Sequence, residues 1–209
     1  MWWNVFSHQP FYFSKNRQPF GSISTLVACS KTDSDANTLS VSELTEREDA
    51  ILSTASDKSF VFDFNIDDAY KEAAVWIEKY EAGKLVDDRL AHLTTEVEQS
   101  GSIIFTLSEG VNENNNSFHI GVGTEGNLTS IDVPDTELND LESMASVWGS
   151  IPEQAALDNG EVVVANISYS SDENGINSLT TDFYEDAAGH MHELEQYDVV
   201  YLLKAAFSK

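Results

Sequence analysis

VVYLLKAAF, residues 199–207, carries the clearest strand signal in the chain. Val199, Tyr201, Leu203, Ala205 and Phe207 recur at every second position. Successive side chains of an extended strand point to opposite sides, so these five share one face. The run stops almost at the last residue, and the domain is expected to close with it. The same period governs FVFDFNI, residues 60–66: Phe60, Phe62, Phe64 and Ile66 share one face, with Val61, Asp63 and Asn65 on the other. Outward from these two, residues 73–81 read as a strand turned by Ala82-Gly83. Residues 90–98 and 102–107 flank Ser100-Gly101, which predicts a hairpin. Phe118, Ile120 and Val122 mark one further strand, and Val163, Ala165, Ile167 and Tyr169 another. About seven to nine short strands with one to three short helices predict a mainly-β chain folded as an antiparallel β-sandwich.

Helical signals are few. Thr45 with Glu48 matches a capping box, so a helix starts there, and the polar residues 53–57 end it. Leu138, Leu141, Met144 and Ala145 recur at helical spacing and predict a short helix over the sheet. Residues 181–195 read as partly helical, weakened by Gly189.

The chain has 209 residues, 41% of them hydrophobic and 11% aromatic, enough to build a sizeable core. Against 36 Asp and Glu stand 11 Lys and Arg, a formal net charge of −25, and no Lys or Arg lies between Arg89 and Lys204. Such a surface repels phosphate backbones and anionic headgroups, which excludes a nucleic-acid partner. Solubility is the plainer meaning of the acidity, and attraction for cationic ligands is the functional one. The single cysteine, Cys29, excludes an intramolecular disulfide and a multi-cysteine zinc site.

Three zones follow: an atypical signal-like segment over residues 1–28, a polar tether over 29–42, and an acidic mainly-β domain over 43–209. The first carries only Lys15 and Arg17 as charges, and SKTDSDANTLSVS at 30–42 has no apolar period. Leu26-Val27-Ala28-Cys29 has the form of a bacterial lipobox. The thiol accepts diacylglycerol, small residues at the cut admit a membrane peptidase, and the new amino terminus takes a further chain, which makes anchoring stable. The alternative is a chance tetrapeptide in a cytoplasmic protein.

Four stretches carry a resemblance: ELTEREDAILSTASDKSFVFDFNID (43–67), VWIEKYEAGKLVDD (75–88), MASVWGSIP (144–152) and EQYDVVYLL (195–203). In these the chain resembles a group of uncharacterised small lipoproteins from Bacillus-type Gram-positive bacteria. The resemblance implies a signal peptide, lipidation at Cys29 and an extracytoplasmic position on the cell membrane. It implies no activity.

His190, His192, Glu193 and Asp186 form the densest cluster of metal-ligand types. On a strand, histidines two apart point the same way and a carboxylate completes a divalent-cation site. On a helix they diverge, which leaves a solvated acidic face. Trp76, Tyr80 and Trp148, with Tyr169, Phe183 and Tyr184, are candidates for an aromatic ligand platform for sugar rings, and core packing is the alternative. No nucleophile elbow and no phosphate-binding glycine loop occurs, and no other cofactor is predicted. The expected function is a membrane-anchored extracytoplasmic binding or interaction module with a protein or sugar ligand. A hydrolase whose carboxylates are assembled by the fold is the alternative enzyme, and a cytoplasmic structural protein is the third reading.

Overall fold

The computed structural model describes residues 37–108, 116–135, 138–141, 143–157, 160–172 and 175–209. The signal-like segment, Cys29 and the tether up to residue 36 lie outside them. Elements follow in the order β1 (Thr38–Val41), α1 (Glu46–Ala55), β2 (Lys58–Asn65), β3 (Glu72–Glu81), β4 (Lys84–Glu96), β5 (Ser100–Ser108), β6 (Ser117–Thr124) and β7 (Asn127–Pro134). Then come α2 (Leu138–Leu141), β8 (Ala145–Ser150), β9 (Gln154–Ala156), β10 (Glu161–Ser170), α3 (Thr181–Glu185), α4 (Ala187–His190), a 3-10 turn (Met191–Gln196) and β11 (Val199–Ser208).

The strands form a β-sandwich of two antiparallel sheets, ordered β7-β6-β5-β2-β1-β9 and β4-β3-β11-β10-β8. Alternation builds the core. Phe62 and Phe64 of β2, Ile103, Phe105 and Leu107 of β5, and Phe118, Ile120 and Val122 of β6 all point inward. They meet Val75 and Ile77 of β3, Ile167 and Tyr169 of β10, and the five β11 residues read from the sequence. Each large apolar side chain so buried contributes about 1.5–3 kcal/mol.

The outer face of the five-stranded sheet is covered as well. Tyr80, Val163, Val200 and Leu202 pack there under Leu179, Phe183, Leu194 and Tyr197 of the C-terminal helical segment. That second layer explains why β10 and β11 read as nearly continuous apolar runs. Strands buried on both faces lose the polar half of the alternation.

The strands begin earlier than expected: Thr38–Val41, read as part of the tether, forms β1 between β2 and β9. Leu39 is fully buried there, and a single inward side chain leaves no period to read. The expected helix after Leu138 ends at Leu141, where the Met144 amide bonds the Leu141 carbonyl at 2.9 Å, and Ala145 opens β8. The expected hairpin at Ser100-Gly101 is instead a passage between sheets, since β4 and β5 belong to different ones. Gly101 is a packing residue: a Cβ there would lie 2.2 Å from the Gly123 carbonyl and 2.5 Å from the Phe64 ring. The hairpin at Ala82-Gly83 is as expected, with φ of 45° and 75°, the left-handed pair that a two-residue turn needs. Thr45 caps α1 with the reciprocal Glu48 bond in place.

Candidate functional site

Alternation along β3 puts Trp76, Glu78 and Tyr80 on the outer face of their sheet, and β11 lies beside it with Lys204 opposite Trp76. These side chains converge on one carboxylate. Glu78 Oε1 accepts from Lys204 Nζ at 2.9 Å and from Trp76 Nε1 at 3.3 Å, and Oε2 accepts from the Tyr80 hydroxyl at 2.7 Å. Lys204 Nζ also bonds Glu161 Oε1 of β10 at 2.7 Å and lies 5.7 Å from the centre of the Trp76 ring. Trp76, Glu78, Tyr80 and Lys204 are all buried, whereas the Glu161 side chain is 59% exposed. Burial, and then the bond to Glu78, push the Tyr80 phenol above its ordinary pKa. Glu78 and Glu161 thus share one ammonium.

Beside this group a cleft of about 760 Å³ opens, with Tyr80, Glu161, Leu202 and Lys204 in its wall. One flank is β9, through Gln154, Ala155 and Ala156, and the facing flank is α4 with Ala187 and Ala188. Tyr184 of α3 closes one side, its hydroxyl bonded to Asn166 Oδ1 at 2.6 Å. Burial first, then the charge of Glu193, pushes the Tyr197 phenol up to about 12 on the same covering segment. Exposed carboxylates ring the opening: Glu161, Glu185 and Asp186.

The residues expected to bind metal lie beyond α3 and are occupied by local structure. Glu193 takes the Thr180 amide at 3.1 Å and the Thr180 hydroxyl at 2.7 Å, and its Oε1 lies 3.0 Å from His190 Nδ1. Asp186 caps α4 through the Gly189 amide, 3.1 Å away. The rings of His190 and exposed His192 lie 5.9 Å apart. Among the described residues no three His, Cys, Asp or Glu side chains are grouped to hold a metal ion. The segment is helical, so the shared-face geometry of a strand is lost.

The aromatic platform is also divided. Trp76 and Tyr80 are buried against Glu78, while Trp148 stands on β8 at the sheet's edge, 53% exposed and 5.3 Å from Lys58 Nζ. β11 and β10 separate β3 from β8, so the three rings form no common surface. Sequence reasoning missed Glu78, Glu161 and Lys204. The readable signal was Lys204 inside VVYLLKAAF and Glu78 inside VWIEKY, charges in apolar runs that must find partners when buried.

The family model of the YgaN domain matches residues 38–207, and the chain belongs to that family. The match begins on the first residue of β1 and stops one residue short of the end of β11. No curated protein and no solved structure matches the chain.

Proposed function

We propose that this chain is a membrane-anchored extracytoplasmic binding module of Bacillus-type Gram-positive bacteria, holding its ligand in the cleft between β9 and α4. The cleft carries this reading. Its volume of about 760 Å³ falls within the range typical of ligand pockets, about 300–1,000 Å³. Small side chains keep both flanks open, and a few polar groups stand in the wall. Lys204 stands in that wall with its ammonium bonded to Glu78 and Glu161. The location rests on Leu26-Val27-Ala28-Cys29 and on the resemblance to small lipoproteins. Lipid chains on Cys29 would hold the domain at the surface, and its net charge of −25 would keep it clear of anionic headgroups.

Each half has its own test. Cells fed radioactive palmitate should label the wild-type protein in the membrane fraction and leave Cys29→Ala unlabelled. An unlabelled, soluble wild type would remove the anchor. Thermal-shift series with oligosaccharides, basic peptides and divalent cations should then compare the wild type with Ala156→Trp, which fills the cleft. A native-state ligand raises Tm, so at least one probe should stabilise the wild type and not the variant. Equal shifts in both proteins would place binding elsewhere.

A further inference from the structure

The backbone of β9 has hydrogen-bonding groups with no neighbour among the described strands. Among the described residues β9 is the last strand of its sheet and pairs only with β1, in the register Thr38↔Ala156, Leu39↔Ala155 and Ser40↔Gln154. The Val41 amide bonds the Glu153 carbonyl at 3.0 Å, and the Leu157 amide bonds the Asn37 carbonyl at 2.9 Å. Antiparallel ladders alternate, so Glu153, Ala155 and Leu157 turn their backbone groups toward β1. Gln154 and Ala156 turn theirs outward, and both residues are exposed and line the cleft. The edge therefore offers two N–H and two C=O groups to whatever enters. An unpaired edge is a template for another strand.

We infer that the cleft takes an extended basic peptide segment of a partner protein, added to β9 as a further antiparallel or parallel strand. The inference rests on the reading of the cleft as a ligand site and names its occupant. Strand addition supplies affinity through the main chain and selectivity through the pockets beside it. Room comes from Ala156 on one flank and Ala187 and Ala188 on the other. Charge selects the sign of the occupant. Glu153, Glu161, Glu185 and Asp186 are exposed around the edge, and the one cation in the wall, Lys204, is bonded to Glu78 and Glu161. A second copy of the chain, with its own net charge of −25, is repelled from this edge. The edge is also only three residues long, which discourages indiscriminate pairing.

The probe is a synthetic peptide alternating valine with lysine, titrated calorimetrically into the full chain at low salt. Three companions complete the test: the same peptide with glutamate for lysine, the same peptide N-methylated on alternate amides in both registers, and the protein variant Ala156→Pro. Proline on an edge strand with its N–H side facing outward leaves the inner ladder intact. The lysine peptide should bind and the glutamate peptide should not. N-methylation and Ala156→Pro should each weaken binding by about tenfold, the effect of one or two lost hydrogen bonds. N-methylation acts on the unaltered protein, so misfolding of the variant cannot produce that result. Equal binding of the N-methylated peptides would overturn strand addition while leaving the cleft as a ligand site. Absence of lysine-peptide binding, or self-association through β9 in sedimentation, would overturn the inference outright.

Discussion

Lys204 is the residue on which the chemistry of the outer face turns. Its strand neighbours Leu203 and Ala205 point into the core, and its own ammonium is nearly withdrawn from water. Removing a charge from water costs several kcal/mol unless it is paired and hydrogen-bonded. Glu78, Glu161 and the face of Trp76 supply that compensation. Lys204→Met should therefore destabilise the fold by about 3 kcal/mol, because Glu78 is left buried without a counter-charge. Adding Glu78→Gln should restore much of the loss, since the neutral amide oxygen still accepts from Trp76 while its NH2 group donates to the Tyr80 hydroxyl. Urea unfolding of the two single variants and the double variant measures the coupling, and strictly additive losses would show that the pair is not coupled. The need for a partner was legible in VVYLLKAAF. Its identity was not: Lys204 and Glu78 lie 126 positions apart, and only the β3–β11 register brings them together.

Among the elements, the helical segment between β10 and β11 decides whether the cleft has a second flank. Its turns are short, so side chains hold it in place. Glu193 binds Thr180 twice and His190 once, tying the 3-10 turn to the N-terminus of α3. Burial opposes ionisation of Glu193, yet the bonds from Thr180 and His190 prevail and hold its pKa below the ordinary glutamate value. The folded state then binds this proton less readily than the unfolded state, whose glutamate titrates near about 4.3. The resulting stability is present above that value and is lost as pH falls through the folded pKa. Glu193→Gln should cost about 1–2 kcal/mol at neutral pH, and its deficit against wild type should shrink in acid. Denaturant unfolding across a pH series checks the sign, and a deficit growing toward low pH would contradict it. Elements with an inward apolar face were legible: β2, β3, β5, β6 and β11 stand where alternation put them, and β10 does so from Ala165 onward, a bulge between Val163 and Ala165 turning Val163 to the outer face. β7 is mostly exposed, with Ile131 and Val133 only partly packed on the core, and β1, β8 and β9 are short. These four are strands because their neighbours are strands, and residue order alone carries little of that information.

For the described domain, two features act together: a sandwich with one doubly covered sheet, and an acidic surface with a cleft beside β9. The sandwich was legible because its core is built by alternation. The cleft was not, because its walls come from β3, β9, β10, β11 and α4, elements far apart in the chain. The net charge of −25 draws any basic chain toward the whole surface, so charge by itself makes weak, dispersed binding. The free edge of β9 is what would convert attraction into a defined complex. Salt separates the two effects, since screened surface attraction fades while main-chain hydrogen bonds persist. The most direct test is two-dimensional amide NMR of the full chain titrated with the lysine–valine peptide at low and at physiological salt. Shifts should concentrate at Gln154, Ala156, Ala187 and Ala188 and keep the same pattern as salt rises. Shifts scattered over the acidic surface and vanishing at physiological salt would contradict strand addition to β9.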